Sequence, residues 1–374
     1  MLKICGYGQD RGACTQLRIV GPLNKIEALK LGSVEIITIG DGEAEKKVSG
    51  ADVVVMGRAA STPIQAMIRE MKRLGKYVVY DLDDNMFGVS PFSPHWKDFG
   101  IMPVNMDHPE LGTIPMYVDG QNGYDVKRNR RLRESFIKVM RLTDCMTVTT
   151  PTLQKLYSRF HDNVQIVPNA IDFGHWKPLD VTHNSGKVRV LYTGAANHKE
   201  DWEFVKPVLV DLQKKYDNWT LVFLGMDWHN HGGDDLDHSR IEWHGWTDIE
   251  AYPFAMKSLC CDIGIAPISK IEFNECRSSI KWLEYSALKM ATVATNFGPY
   301  ARDCVDGDTA LLVEEREEWY GALSRLLEDA EARKGLGERS YRKAKRLYDL
   351  DTMVDKWMDV FNQSQKLQEA IGGT

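Results

Sequence analysis

The sequence predicts an α/β protein made of two Rossmann-like doubly wound units, each a parallel sheet covered by helices on both faces, with helices at the C-terminus. Three observations carry this. Short β-branched runs alternate with amphipathic stretches from one end to the other, the pattern of strand–helix–strand units in a parallel sheet. The runs fall into two sets of about six. Between the sets lies PNAIDFGHWKPLDVTHNSGK, Pro168–Lys187, rich in turn residues and without a period, and a fresh strand begins at Val188. A chain of 374 residues is also longer than one hydrophobic core usually organises.

The elements follow in order. LKICGYG, VEIITI, ADVVVMG, YVVYDL, CMTVTT and VQIVP read as the strands of the first half. VRVLYTG, WTLVFLG, IEWHG, CDIGIAPI, ATVATN and TALLVE read as those of the second. DWEFVKPVLVDLQKKY and SSIKWLEYSALKM are helical patterns between them. The expected domains are 1–175 and 176–349. The end, DTMVDKWMDVFNQSQKLQEA, reads as one amphipathic helix with Met353, Trp357, Val360 and Phe361 on its buried side, and the stretch from about 350 to 374 is a candidate to pack back on the first domain. One segment escapes the alternation: Asn85–Asp125 carries Phe87, Phe92, Trp96, Phe99, Tyr117 and Tyr124, five prolines and no period. So long a loop in a compact domain is usually functional or disordered, and its aromatics argue against disorder.

Composition narrows the classes. Hydrophobic residues make up 43% and charged residues 27%, ordinary for a soluble globular protein. No apolar run approaches the roughly 20 residues of a membrane span. The start, MLKICGYGQDRGAC, reads as a strand and loop rather than a signal peptide. Seven scattered cysteines without C-x-x-C favour reduced thiols in a cytoplasm over a disulfide framework or zinc site. Net charge is −6, unevenly spread. Residues 1–175 hold 22 Lys+Arg against 20 Asp+Glu, and the remainder 25 against 33. The first half is therefore the better partner for an anion.

The most informative run is FNECRSSIKWLEYSALKMATVATNFGPY, Phe273–Tyr300. Ser278 or Ser279 is a natural N-cap, and Lys281 and Glu284 lie three apart on one helix face. Helix amides, with Arg277 and Lys281, suit an anion, and a glutamate one turn further in can accept two hydrogen bonds from a ribose diol. Together these describe a nucleotide-sugar site; a solvated helix face with a common K-x-x-E pair is the plainer alternative. In VLYTGAANHKEDWEFVKPVL, Gly194 lets backbone approach a diphosphate, and His198 or Lys199 can donate to it. A capped surface helix with a stray histidine is again the alternative. Trp246 completes the donor-side candidates.

Lys281–Thr295, KWLEYSALKMATVAT, resembles the K-x-x-E-Y-x-A-L-G-x-P-V-V-A-T donor segment of GT-B glycosyltransferases, in the large retaining group that includes sucrose synthases and bacterial polysaccharide mannosyltransferases. Lys289 and Ala291 stand where that group usually has Gly and Pro. The spacing of Gly194, His198 and Asp201, the run VPNAID, and GPYARDCVDGDTALLVEE resemble the same group, mainly over Val164–Trp319. The resemblance implies two domains facing a cleft and transfer of a hexosyl or pentosyl group, with retention and without a metal. It implies that the donor is a nucleotide diphosphate sugar of the UDP-sugar kind, a co-substrate beside which no cofactor is expected. It implies that Glu284 is the second of two glutamates seven residues apart. The first would fall at Cys276, and Glu275 is the nearest acid. In the N-terminal loop GYGQDRGACTQLRI, which misses the dinucleotide fingerprint by one residue, Gly12 and Arg18 are candidates to face the sugar and phosphates. A plain strand-to-helix turn is the alternative.

KYVVYDLDDNMFG, Lys76–Gly88, places Asp81, Asp83 and Asp84 at the end of a β-rich run. A dehalogenase-type phosphatase would need these on its first strand, with a Ser/Thr near the Asn85 position and a later acid pair, for which only Asp234 and Asp235 offer. Metal binding by D-x-D belongs to a one-sheet GT-A fold. The remaining reading makes Asp83 and Asp84 the catalytic acids that orient an acceptor hydroxyl or stabilise charge on the sugar, with Asp81 structural. A non-catalytic nucleotide-sugar binding protein is a further alternative. WHNHGGDDLDHSRIEWHG, with His229, His231, His238 and His244, matches no zinc spacing and reads as a solvated loop. The acceptor is expected to be a carbohydrate or lipid-linked sugar. The basic run KRNRRLRE, with Arg128, Arg130 and Arg131, beside Trp96 and its aromatic neighbours, makes hydroxymethylated bases in DNA the alternative, phosphates held by arginine and a base stacked on an aromatic face.

Overall fold

The computed structural model describes residues 1–8, 12–38, 40–93, 95–108, 112–179, 183, 186–195, 198–228 and 235–365. The chain forms two compact units, 1–169 with 353–374, and 170–352. The first contains β1 (Leu2–Gly8), β2 (Gly32–Thr38), β3 (Val53–Gly57), β4 (Tyr77–Leu82), β5 (Val104–His108), β6 (Gly112–Tyr117), β7 (Cys145–Val148) and β8 (Val164–Ile166). The second contains β9 (Val188–Gly194), β10 (Trp219–Gly225), β11 (Ile241–His244), β12 (Ile263–Ala266), β13 (Ala291–Thr295) and β14 (Leu311–Val313).

Each unit holds a six-stranded parallel sheet, in the orders β2-β1-β3-β4-β7-β8 and β11-β10-β9-β12-β13-β14. All twelve runs read from the sequence are strands of these sheets. In both orders the winding reverses beside the unit's first strand, at β1/β3 and at β9/β12. Ligands in such sheets bind outside the carboxyl ends at that reversal. The central strand β4 is buried along its whole length, because helices cover both faces and leave no reason for apolar–polar alternation. In the second unit Trp202, Trp219, Trp228 and Trp319 pack in one core with the strands.

The segment Asn85–Asp125 has structure that its lack of a period did not announce. It contains a short helix, Trp96–Phe99, and the antiparallel pair β5–β6. The helix Val126–Leu142 fastens it. Asn129 Nδ2 donates to Lys97 O and Gly100 O, both at 2.8 Å. Arg133 donates to Phe99 O at 3.0 Å and Phe87 O at 2.8 Å. The terminal helix Leu350–Phe361 buries Met353, Trp357, Val360 and Phe361, and Trp357 lies under the Arg18 guanidinium at 5.0 Å. Among the described residues no helix is long and apolar enough to cross a membrane.

Candidate functional site

Two polar clusters form, one in each unit, both at carboxyl ends of strands beside the winding reversal.

In the second unit, Gly194 ends β9 and the helix Ile280–Ala287 follows β12. Lys281 enters from the first turn of that helix. It is buried, its Nζ has no hydrogen-bond partner among the described residues, and it lies 5.1 Å from the Tyr192 ring centroid. Burial lowers its pKa to about 8; Asp201 and Glu284 oppose that shift and Arg277 adds to it. Arg277 is half-buried and stacks over Phe273. Glu284, one turn on, accepts from the Tyr252 hydroxyl at 3.3 Å. Burial raises its carboxyl to about 8, against the pull of Lys281 and Tyr252. Tyr252 packs edge-on against Trp176.

His198 is buried, with Nδ1 2.7 Å from Asp201 Oδ2. Asp201 also accepts from the Ser269 amide at 2.7 Å. Although burial pushes Asp201 up, its bonds with His198 and the charge of Lys281 leave it below the usual carboxylate range. Burial, with Lys281 and Arg277 nearby, drives His198 down to about 3. In the neutral imidazole, Nδ1–H donates to the ionised Asp201 carboxylate, and Nε2 carries no proton. Of the ring nitrogens, Nδ1 is therefore engaged by Asp201, and Nε2 is the atom through which the expected contact of His198 with a diphosphate would run.

Other donor candidates are more dispersed. Ser279 occupies the N-cap position but does not cap; its hydroxyl donates to Asp303 Oδ2 at 2.7 Å. Lys199 and Glu275 are exposed. Trp246 is exposed, with its ring beside Gly225. His238 belongs to a short helix and His244 ends β11, 3.7 Å from Glu242; His229, His231 and Asp234 lie outside the described residues.

In the first unit, Asp83 and Asp84 follow β4 and share one partner that the sequence reading missed, Arg58. Its position directly after β3, at a strand's carboxyl end, is the signal that could have identified it. Cys14 joins them: Cys14, Asp83 and Asp84 bring potential ligand atoms within 4.8 Å of one another. Burial pushes Asp83 up, but the Arg58 charge and hydrogen bonds from Cys14 and Arg58 hold it low. Burial, then Asp83, drives the Cys14 thiol well above its ordinary value.

Two groups of candidates are engaged elsewhere. Arg18 is buried: it pairs with Asp81 at 2.7 Å and donates to Val167 O at 2.6 Å and Asn169 Oδ1 at 3.2 Å. Asp81 also accepts from the Thr147 hydroxyl at 2.6 Å. Gly12 stays exposed, at the start of the turn Ala13–Thr15. Trp96 is buried against Gly100 and Tyr117, so it offers no stacking face. Arg128 pairs with Asp98 at 2.6 Å, and of the basic run Arg130 and Arg131 are exposed.

Residues 187–329 match the family model described as "Glycosyl transferases group 1". A Bacillus subtilis (strain 168) protein, TuaH, whose name assigns it provisionally as a teichuronic acid biosynthesis glycosyltransferase, is 23% identical over 203 residues, 48% of this chain. The match spans about half the length, 49%, of that relative. Sucrose-phosphate synthase from Thermosynechococcus elongatus superposes with a TM-score of 0.61 at 13% identity, over 97% of this chain and 99% of that one. Anabaena HepE in complex with UDP-glucose gives 0.61 at 12% identity, over 97% and 100%. At these identities the likeness is one of fold: two Rossmann-like parallel-sheet domains, the GT-B architecture.

Proposed function

We propose that this protein is a glycosyltransferase that moves a sugar from a nucleotide diphosphate sugar to an acceptor hydroxyl, with retention and without a metal. One observation carries the reading. Lys281 is a buried ammonium with no hydrogen-bond partner among the described residues, set beside Arg277 at a winding reversal. An unpaired buried cation is costly, and a diphosphate is the ligand that would satisfy it. Glu284, one turn on, suits a ribose diol. The family match over 187–329 and the UDP and UDP-glucose complexes of HepE support a UDP-sugar as donor. In this reading Arg277 and Lys281 hold the diphosphate and stabilise the charge that develops on it as the sugar departs.

The acceptor reading favours carbohydrate. The TuaH name supports a polysaccharide pathway. The DNA alternative loses its stacking residue, because Trp96 is buried, and one of its three arginines, because Arg128 is paired. The test has two stages. Thermal shift and calorimetry with UDP, GDP, UDP-glucose and other nucleotide sugars come first, since a ligand of the native state raises its apparent stability. Radiolabelled donor is then offered with a glycan panel, hydroxymethyl-base DNA and unmodified DNA. Label in glycans supports the proposal. Label in modified DNA alone, weakened by neutralising Arg130 and Arg131, transfers it to the DNA acceptor. No nucleotide binding and no transfer overturn it, and binding without transfer leaves a nucleotide-sugar binding protein.

A further inference from the structure

The polar cluster of the first unit has a specific internal arrangement. β3 pairs with β4 so that Gly57 faces Asp81, and Arg58 follows Gly57 at the carboxyl end of the sheet. Its backbone is in the left-handed region, φ 44°, a conformation that side-chain-bearing residues rarely hold without compensation. Its amide donates to Asp81 O at 3.3 Å. Its guanidinium spans both acids: Nε to Asp83 Oδ1 at 2.8 Å, Nη2 to Asp83 Oδ1 at 2.6 Å, and Nη2 to Asp84 Oδ2 at 2.5 Å. The backbone of the acids is held as well, by the Thr149 hydroxyl on Asp83 O at 3.3 Å and the Tyr157 hydroxyl on Asp84 O at 2.7 Å. The two acids are not equivalent. Asp83 is 9% exposed and Asp84 27%, and no hydrogen bond reaches Asp84 Oδ1 among the described residues. Cys14, Asp83 and Asp84 could converge on a cation, but the guanidinium already bridges the carboxylates.

We propose that Arg58 is a positioning residue of the transfer reaction: it fixes Asp84 so that Oδ1 receives the hydrogen bond of the acceptor hydroxyl, while Asp83 is a buried counter-ion that does not touch the acceptor. The proposal rests on the transferase reading. Asp84 orients the hydroxyl oxygen and takes no proton. The bond from the anomeric carbon to the diphosphate oxygen breaks with its electron pair going to the diphosphate, the acceptor oxygen bonds to that carbon, and the diphosphate takes the hydroxyl proton. The charged and titratable groups that face Arg58 and Asp83 are Cys14, Arg18, Tyr80, Asp81 and Asp84. Removing the guanidinium leaves burial as the dominant influence on Asp83, so its carboxyl takes up a proton at higher pH.

The test compares wild type with Arg58→Met, Arg58→Lys, Asp83→Asn and Asp84→Asn, using radiolabelled UDP-glucose and the acceptor that takes up label in the panel above. UDP affinity is measured by calorimetry, transfer rate is measured against pH, and iodoacetamide labelling of Cys14 is mapped by peptide mass spectrometry. Arg58→Met is expected to keep its UDP affinity and lose roughly a hundredfold in transfer rate. The acid limb of its rate should move to higher pH, and Cys14 should label more slowly because a positive neighbour is gone. Arg58→Lys should recover part of the rate, and Asp84→Asn should cost more rate than Asp83→Asn. Wild-type rate and acid limb in Arg58→Met, or a matching loss of UDP affinity, overturns the proposal. If Arg58→Met does not fold, Arg58→Lys decides: a roughly tenfold loss of rate with UDP affinity intact supports it, and an unchanged rate and acid limb removes it. A wild type that neither binds UDP nor transfers sugar removes the parent reading and this proposal with it; one that does both, with unmoved Arg58 variants, removes this proposal alone.

Discussion

At the scale of single residues, Lys281 sets stability against binding. Its folded pKa is lowered to about 8 from an ordinary 10.5. Below about pH 8 both folded and unfolded chains carry the charge, and the fold bears the full burial cost. Between about 8 and 10.5 the unfolded chain holds the proton that the folded one has released, so stability rises with pH. Lys281→Met is expected to stabilise the protein by about 1–3 kcal/mol at pH 7. It should also flatten the rise from pH 8 to 10.5 and abolish measurable UDP binding; denaturant melts at pH 7 and 10 with calorimetry check this. Glu284 contributes the opposite slope. Its carboxyl is raised to about 8, so the unfolded chain releases its proton first, and stability falls as pH rises from about 4.5 to 8. Glu284→Ala should lose the hydrogen bonds of this carboxyl to the donor, about 1–3 kcal/mol, roughly ten- to a hundredfold in kcat/KM. Near-normal kinetics in the folded variant would remove Glu284 from the donor site.

At the scale of elements, the end of the helix Ile280–Ala287 accounts for one residue at which this chain departs from the donor-segment pattern it resembles. Lys289, at the position where the resembled pattern has Gly, has a left-handed backbone, φ 58°, the conformation that closes a helix and favours glycine. Its amide donates to Ser286 O at 2.9 Å and its ammonium pairs with Glu338 at 2.8 Å. The carbonyl of Lys289 then lies against Gly337 of the helix Ala330–Tyr348, where an added Cβ would stand 2.0 Å from the oxygen. Gly337→Ala is therefore expected to destabilise by about 1–3 kcal/mol. The measurement is a lower denaturant midpoint at unchanged m-value; an unchanged midpoint would mean that the two helices separate without cost.

At the scale of the whole molecule, the first unit is discontinuous in sequence. Residues 353–374 belong with 1–169, and Trp357 supports the buried Arg18, which in turn holds Asp81, Val167 and Asn169. Trp357→Ala should cost about 3–5 kcal/mol. In a thermal scan it should lower the transition of the first unit and leave a second transition in place; a uniform shift of a single transition would show that the units unfold together. Metal dependence is also read on the whole protein. Arg277, Lys281 and helix amides supply the positive charge that a divalent ion would otherwise provide, so EDTA is expected to leave transfer within about twofold of the untreated rate. Complete loss restored by Mn²⁺ would favour a metal on Asp83, Asp84 and Cys14.

Alternation, the turn-rich break at Pro168–Lys187 and the burial of Met353, Trp357, Val360 and Phe361 are local properties of the chain, set by periodicity and turn chemistry, and they determined both sheets and the terminal helix. The K-x-x-E spacing of Lys281 and Glu284 is local too, since one turn of helix fixes it. Partnerships across long sequence separations were settled only by the tertiary structure. Arg58 meets acids 25 and 26 residues away, and Arg18 is held by partners 63 to 151 residues away. The aromatic segment folds under Asn129 and Arg133 and takes Trp96 into the interior. His198 is tied through Nδ1 to Asp201, one helical turn along. A charged residue's chemistry depends on which other groups the sheet and its loops bring within a few ångströms, and no period in the sequence encodes that.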